Sequence, residues 1–448
     1  MAILGLLSTE SFASERFKNY RRTVFYFYPN GAAPLTGLLS MMDEEDTDDP
    51  EFNIYEKRLA SQRTTTATRG SSKGPLTVEA GTGDTDPFTF TVDTVYRLHV
   101  ADASIFRVGH IVRAYVTVSA AETEIQGVVT EVSDSTTPKY IKVRSLKTVA
   151  SIDNGITNES VGTEVLVIGS AFAQGASGPT EEVYNLPIGI ENYCGISRTP
   201  FSLTGTAAKT SAKFDETGPY KDKAKETNVQ HSVEMERRFL FGEKHKFVDA
   251  NNLPVYTSGG ILWFLREWEK AASPYRGAAS SALTANSDDE KRIINVNGAI
   301  TERALDGYFE RLFRVTNNTA NEKLGFCGSG FLSIVNQLYK NKSVLDAGFP
   351  AKDAYGMSVV RQITPFGTIF WKTHPLFSAN PEWRYNALML DVRNLKYRYV
   401  EGRDTQLLKN RQNNGDDFRR DEYLSECGLE LRFPESHMLL RNVTDWAP

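Results

Sequence analysis

The chain has 448 residues, of which 40 % are hydrophobic and 24 % charged, and its formal net charge is -5. That length predicts about two to four compact units with a core large enough to need neither disulfides nor a structural metal. The mild acidity excludes the strong basic excess of a protein that wraps nucleic acid unaided, and the three scattered cysteines, Cys194, Cys327 and Cys427, form no CxxC pair of the zinc or thioredoxin type.

The apolar start Met1–Leu7 is short, lacks a basic region before it and soon meets Glu10 and Glu15, so no cleaved signal is expected. No run reaches the roughly 18 apolar residues of a membrane span. Three unpaired thiols fit synthesis in a reducing cytoplasm. Arg16, Lys18, Arg21 and Arg22 then precede Val24–Tyr28, an aromatic run of strong strand character. Two readings stay open: a first strand of the protein's own sheet, or an arm that reaches a neighbouring subunit.

Pro34–Leu39 suits a short helix. Residues 43–51 hold seven carboxylates in nine positions, whose repulsion predicts an extended, solvated loop. Contact with basic residues of another subunit is the alternative. The run lacks the glycine and the spacing of a calcium loop. Phe52 and Ile54 alternate with Asn53 and Tyr55, the pattern of a half-buried strand.

Residues 76–172 are rich in Val, Thr, Ser, Gly and Asp. Strands are predicted at Phe88–Val92, Tyr96–Val100, Val112–Val116, Ile125–Val132, Tyr140–Val143 and Val165–Ile168, a spacing that points to an inserted β-barrel or β-sandwich. Extended chain continues to residue 215. Pro219 opens, and Gly242 closes, the clearest helix, Tyr220–Phe241. Its predicted apolar stripe is Val229, Val233, Glu236 and Leu240 beside Phe239, with His231 on the polar face. At 1.5 Å per residue it would span about 33 Å. Val233→Asp is therefore expected to block folding or assembly by burying a charge. Further helices are predicted at 259–272, 301–315 and 329–341, with strands at Met357–Ile363, Gly367–Trp371 and Ala387–Leu390. Gly428–Phe433 reads as a strand with one buried face. The mixture is α+β without regular βαβ alternation.

No sequence motif of catalysis is present. None of the six histidines forms HExxH, and there is no phosphate-cradling glycine loop. Gly325–Gly330 invites a nucleophile reading, with Cys327 and His374 as a hydrolase pair. The glycines, however, do not fall two places either side of Cys327 or Ser329. The segment reads instead as a glycine-rich approach to the helix at 329–341, with Ser329 in the N-cap role. Lys396, Arg398, Arg403, Lys409 and Arg411 form a basic stretch suited to intersubunit ion pairs or to phosphates.

The order of these elements, with Pro34–Leu39, Phe52–Leu59, Gly169–Gly175, Glu191–Tyr193, Leu203–Thr206, Glu234–Gly242, Phe366–Ile369 and His374–Leu376, resembles the major capsid proteins of tailed bacteriophages, which have the Hong Kong 97 fold. The resemblance implies an α+β capsid fold with an N-terminal arm (1–33), an extended loop begun at 34–75 and resumed at 173–218, and the β insertion (76–172) within it. A peripheral domain with a spine helix (219–284), an axial domain (285–390) and a return to the peripheral domain (391–448) complete the chain.

The implied function is a structural shell subunit, not an enzyme, that forms hexamers and pentamers of itself. Its implied partners are a portal protein, scaffold and cement proteins, and packaged double-stranded DNA on the inner face. It is made in the host cytoplasm and resides in the virion, with no membrane partner, cofactor or metal. A nanocompartment shell of the same fold, or another virion structural protein, is the alternative. Candidate intersubunit contacts are Arg16, Arg21, Arg22, Asp43, Glu44, Glu45, Asp46, Lys57, Arg58, Arg398 and Arg403.

Overall fold

The computed structural model describes residue 35 and residues 44–57, 63–67, 75–78, 88–118, 121–135, 138–152, 163–175, 182, 187–209, 219–270, 291–314, 321–340, 351–354 and 357–446. The predicted arm, and the predicted helix at 34–39 apart from Leu35, lie outside these residues. The chain divides into two compact units: Met1–Phe52, Glu191–Phe264 and Ile293–Pro448 form the first, Asn53–Ile190 and Leu265–Arg292 the second. The first unit mixes helix and strand and the described elements of the second are mostly strands, an α+β architecture.

The first unit holds two larger sheets. In one, Glu44–Thr47, Leu395–Val400, Phe418–Leu431 and Gly195–Thr204 lie side by side, and Gln406–Leu408 also pairs with Phe418–Leu431. The first pairing is parallel and the others antiparallel. Within the acidic run Glu44–Thr47 is thus a strand and not the expected loop, while residues 48–50 form an irregular bend in which Asp48 and Asp49 are exposed. The strand's neighbour carries Lys396 and Arg398, so cross-strand attraction offsets the repulsion along the run. Phe418–Leu431 departs from expectation too. Both faces of its C-terminal half are buried, Glu430 included, because helix covers one side and charged partners meet the other.

That helix, α1 (Pro219–Phe241), starts and stops where Pro219 and Gly242 predict. The stripe it buries is Thr227, His231, Met235, Glu236, Phe239 and Leu240. Glu236, Phe239 and Leu240 are buried as expected, whereas Val229 and Val233 are only half-buried and His231 is 1 % exposed, so the two valines and the polar-face assignment are corrected. The buried polar groups are tolerated because each has a hydrogen-bond partner: Thr227 Oγ1 donates to the Lys223 carbonyl at 2.8 Å, and Glu236 meets His374. His231 joins Thr199 Oγ1 at 2.9 Å and Ser425 Oγ at 2.7 Å. Arg238 donates to the carbonyls of Gly195 and Cys427 at 2.9 and 3.0 Å.

The other sheet has seven strands in the order Ile293–Ile300, Met438–Trp446, Ala387–Leu390, Glu322–Cys327, Thr368–Thr373, Met357–Ile363, Ala351–Ala354. Helices α3 (Glu302–Arg314) and α4 (Ser329–Lys340) contribute to its core; α2 (Ile261–Glu269) precedes them in the chain. On α3 the apolar residues Leu305, Phe309, Leu312 and Phe313 recur at helical spacing and join Phe331, Ile334, Val335, Trp371 and Met389 in that core.

In the second unit, Arg63–Thr65, Glu164–Ser170, His110–Val118, Ala121–Ser133, Tyr140–Ser145, Val95–His99 and Leu76–Val78 pair in that order. Inward Val112, Ala114, Val116, Ile125, Ile141, Val143 and Val165 fill the interior, as period-2 alternation requires. The sheet closes on itself. Beyond the ends of the named strands, Thr66 bridges Val100, and the N–H groups of Ala67 and Ala101 donate to the carbonyls of His99 and Thr65 at 2.9 Å. Of the two alternatives left by strand spacing, the barrel is the one formed, closed by these bonds at the ends of Arg63–Thr65 and Val95–His99. Separately, Glu51–Glu56 and Ile188–Tyr193 pair as a two-stranded ribbon. Phe52 and Ile54 are buried along it while Tyr55 is 73 % exposed.

Candidate functional site

The acidic strand and its basic neighbour bring opposite charges together across one pairing register. Register places Glu45 opposite Arg398. The Arg398 guanidinium reaches Glu45 through Nη1 at 3.0 Å and Glu430 through Nε, and Lys396 Nζ lies 3.6 Å from Glu45. Arg432 holds the other oxygen of Glu430, whose side chain is fully buried. An anion so enclosed is sustained by two guanidinium partners, each able to meet a carboxylate with more than one N–H. Arg403 pairs with Glu426, and Asp404 accepts from the Tyr397 hydroxyl at 2.7 Å.

Of the eleven predicted contact residues, six are described. The structure brings Glu45 and Arg398 together within one chain and gives Arg403 the partner Glu426 there. Glu44, Asp46 and Lys57 are exposed. Arg16, Arg21, Arg22, Asp43 and Arg58 lie outside the described residues.

The Cys327–His374 pair has a different use. Nδ1 of His374 accepts the Leu376 N–H at 3.2 Å, capping the short helix Pro375–Ala379. That fixes the proton on Nε2, which donates to Glu236 Oε1 at 2.7 Å. The same oxygen accepts the Leu35 N–H at 2.8 Å. Both imidazole nitrogens are therefore engaged away from the thiol, and His374 and Glu236 are fully buried. Burial pushes the Cys327 thiol well above its ordinary range, and Cys194 rises to about 12 through burial and then the nearby Cys427. Such thiols are poor nucleophiles.

The glycines around Cys327 have a packing reason. A Cβ on Gly325 would sit 2.3 Å from Trp371 Cε3, and one on Gly328 would sit 2.1 Å from the Arg384 carbonyl oxygen. Ser329 is the first residue of α4, and the carbonyl of Gly328 before it accepts the Leu332 N–H at 3.2 Å, so the cap position falls to Gly328. Among the described residues no group of three His, Cys, Asp or Glu side chains is placed to hold a metal ion, and no helix is long and apolar enough to cross a membrane.

Two buried charged contacts are invisible in the local sequence. One is Glu236–His374. The other is Lys323 Nζ–Asp391 Oδ2 at 2.8 Å, with side chains 1 % and 5 % exposed. The only local signal for the second is a lysine that leads directly into the apolar stretch Leu324–Cys327.

A sequence profile described as SU10 major capsid protein matches residues 8–444. The major capsid protein of Pseudomonas phage PaMx41 is 25 % identical over 258 residues, which is 57 % of this chain and 56 % of that relative. The match thus spans little more than half of the relative's length. Among solved structures, the cyanophage A-1(L) capsid asymmetric unit is 14 % identical over 62 % of this chain and 85 % of that chain, with a TM-score of 0.42. The SrpI encapsulin of Synechococcus elongatus PCC 7942 is 13 % identical over 60 % and 80 %, with a TM-score of 0.37. Structural similarities this distant do not bear on function.

Proposed function

The chain belongs to the SU10 major capsid protein family, and on that premise we propose that it is the structural subunit of an icosahedral phage head. Copies assemble into hexamers and pentamers, and these close into a shell around double-stranded DNA. The match across residues 8–444 carries this reading, since it takes in nearly every element of both units. The role is architectural and not catalytic. Buried thiols and a histidine engaged at both nitrogens support it.

The layout follows the Hong Kong 97 scheme: an arm at 1–33, α1 as the spine of the peripheral domain, and residues 285–390 as the axial domain. Arg16, Arg21, Arg22 and Arg58 are proposed to meet acidic groups of neighbouring subunits, and Glu44 and Asp46 to offer such groups from an exposed strand. A portal protein, scaffold and cement proteins, and DNA on the inner face complete the partners. The subunit is made in the host cytoplasm and resides in the virion.

Electron microscopy of the expressed chain tests the reading. Closed particles are expected, and a chain that stays monomeric at every concentration and ionic strength would rule them out. Particles that enclose protein cargo instead of nucleic acid would transfer the assignment to a nanocompartment shell.

A further inference from the structure

After α1, the strands His245–Val248 and Pro254–Thr257 pair with each other and with no other described strand. Their base is firmly held. Lys244 Nζ lies 3.3 Å from Glu191 and 4.9 Å from the Tyr193 ring centroid. Lys246 pairs with Glu51 and stands 5.0 Å from the Tyr256 ring, and Tyr193 meets Tyr256 edge-on at 5.4 Å. Thr257 Oγ1 donates to the Glu243 carbonyl at 2.8 Å.

The far end is equally ordered. Asp249 Oδ1 accepts the N–H groups of Asn251 and Leu253 at 2.8 and 2.9 Å, and the Asp249 N–H donates to the Leu253 carbonyl at 2.9 Å. Yet Phe247, Val248 and Leu253 are 43 %, 58 % and 59 % exposed.

A lone two-stranded ribbon is marginal in water, so one that projects exposed apolar side chains gains from a surface that covers them. A ribbon anchored at its base, closed at its turn and apolar at its tip has the build of a contact element. We propose that this tip docks Phe247, Val248 and Leu253 onto a second copy of the chain, as one half of a head-to-tail contact within the shell. The inference rests on the self-assembly reading.

The chemistry selects that occupant. Between Phe247 and Thr257 the only charged side chain is Asp249, and the turn already uses it, so the tip offers nothing to a phosphate backbone or to a charged partner. Head-to-tail contacts repeated at a fixed angle are what generate rings and closed shells. A shell presents the same receiving surface to every ribbon.

The native cysteines Cys194, Cys327 and Cys427 are at most 1 % exposed, so a thiol placed at the tip is the one a maleimide reaches first. In Val248→Cys, labelling is expected to be at least tenfold slower in closed particles than in free subunits. Leu253→Cys gives the same readout should the first variant fail to fold. In parallel, Phe247→Ser with Leu253→Ser is expected to keep the wild-type circular dichroism and lose closed particles. Equal labelling in particles and subunits, or normal particles from the double variant, overturns the proposal while leaving the shell reading intact. A wild-type chain that never closes into particles removes the shell reading, and this proposal with it.

Discussion

At the residue scale, buried polar groups define the interior of the first unit. Glu236 is the sharpest case, since its carboxylate accepts from both His374 Nε2 and the Leu35 N–H with no solvent access. Glu236→Ala leaves two neutral buried donors unpaired, each costing about 1–3 kcal/mol, and is expected to lower the unfolding free energy by about 2–6 kcal/mol; urea titration measures it. His231 adds a pH dependence. Burial, with a smaller effect of Arg238, lowers its pKa from the ordinary 6.5 despite the opposing charge of Glu234. Above pH 6.5 neither state takes up the proton, so stability is unaffected there. Below it the unfolded chain binds a proton that the folded one resists, so stability falls as pH drops. Thermal unfolding between pH 7 and 5.5 should show that decline, and His231→Gln should flatten it. His110, lowered mainly by its own burial, contributes with the same sign and leaves a residual slope.

At the element scale, α1 reverses a substitution expected from sequence alone. Val233 is half-buried, so Val233→Asp should now be mild, whereas Met235→Asp, at a side chain 4 % exposed, should prevent soluble folding. Expression of the two variants side by side checks this. Gly325→Ala pushes a methyl into the Trp371 ring and is expected to destabilise by about 1–3 kcal/mol, the range for overpacking a core. Elements with a simple period are legible in the sequence. Leu305, Phe309 and Leu312 locate α3, and the valine alternation locates the barrel strands. The buried stripe of α1 is only partly legible, because Thr227 and His231 look like surface residues, and Ser425 and His374, the partners of His231 and Glu236, arrive from distant parts of the chain. The strand at Glu44–Thr47 is hidden for the same reason. Its cations, Lys396 and Arg398, stand far along the sequence, and only the local repulsion can be read.

At the scale of the whole molecule, the barrel core and the core on the seven-stranded sheet share no residue. Scanning calorimetry of the free subunit is expected to resolve two unfolding transitions, and a single cooperative one would mean that the cores stabilise each other. The pairing of Glu51–Glu56 with Ile188–Tyr193 has a further consequence. The chain leaves for the barrel along one strand and returns along the strand beside it, so the two junctions are neighbours in space. A stretch of gene encoding the barrel can therefore be exchanged, lengthened or cut back to a tight turn without rerouting anything before or after it. Seen this way, the residues between the two strands form a cassette whose entry and exit stay side by side whatever its length.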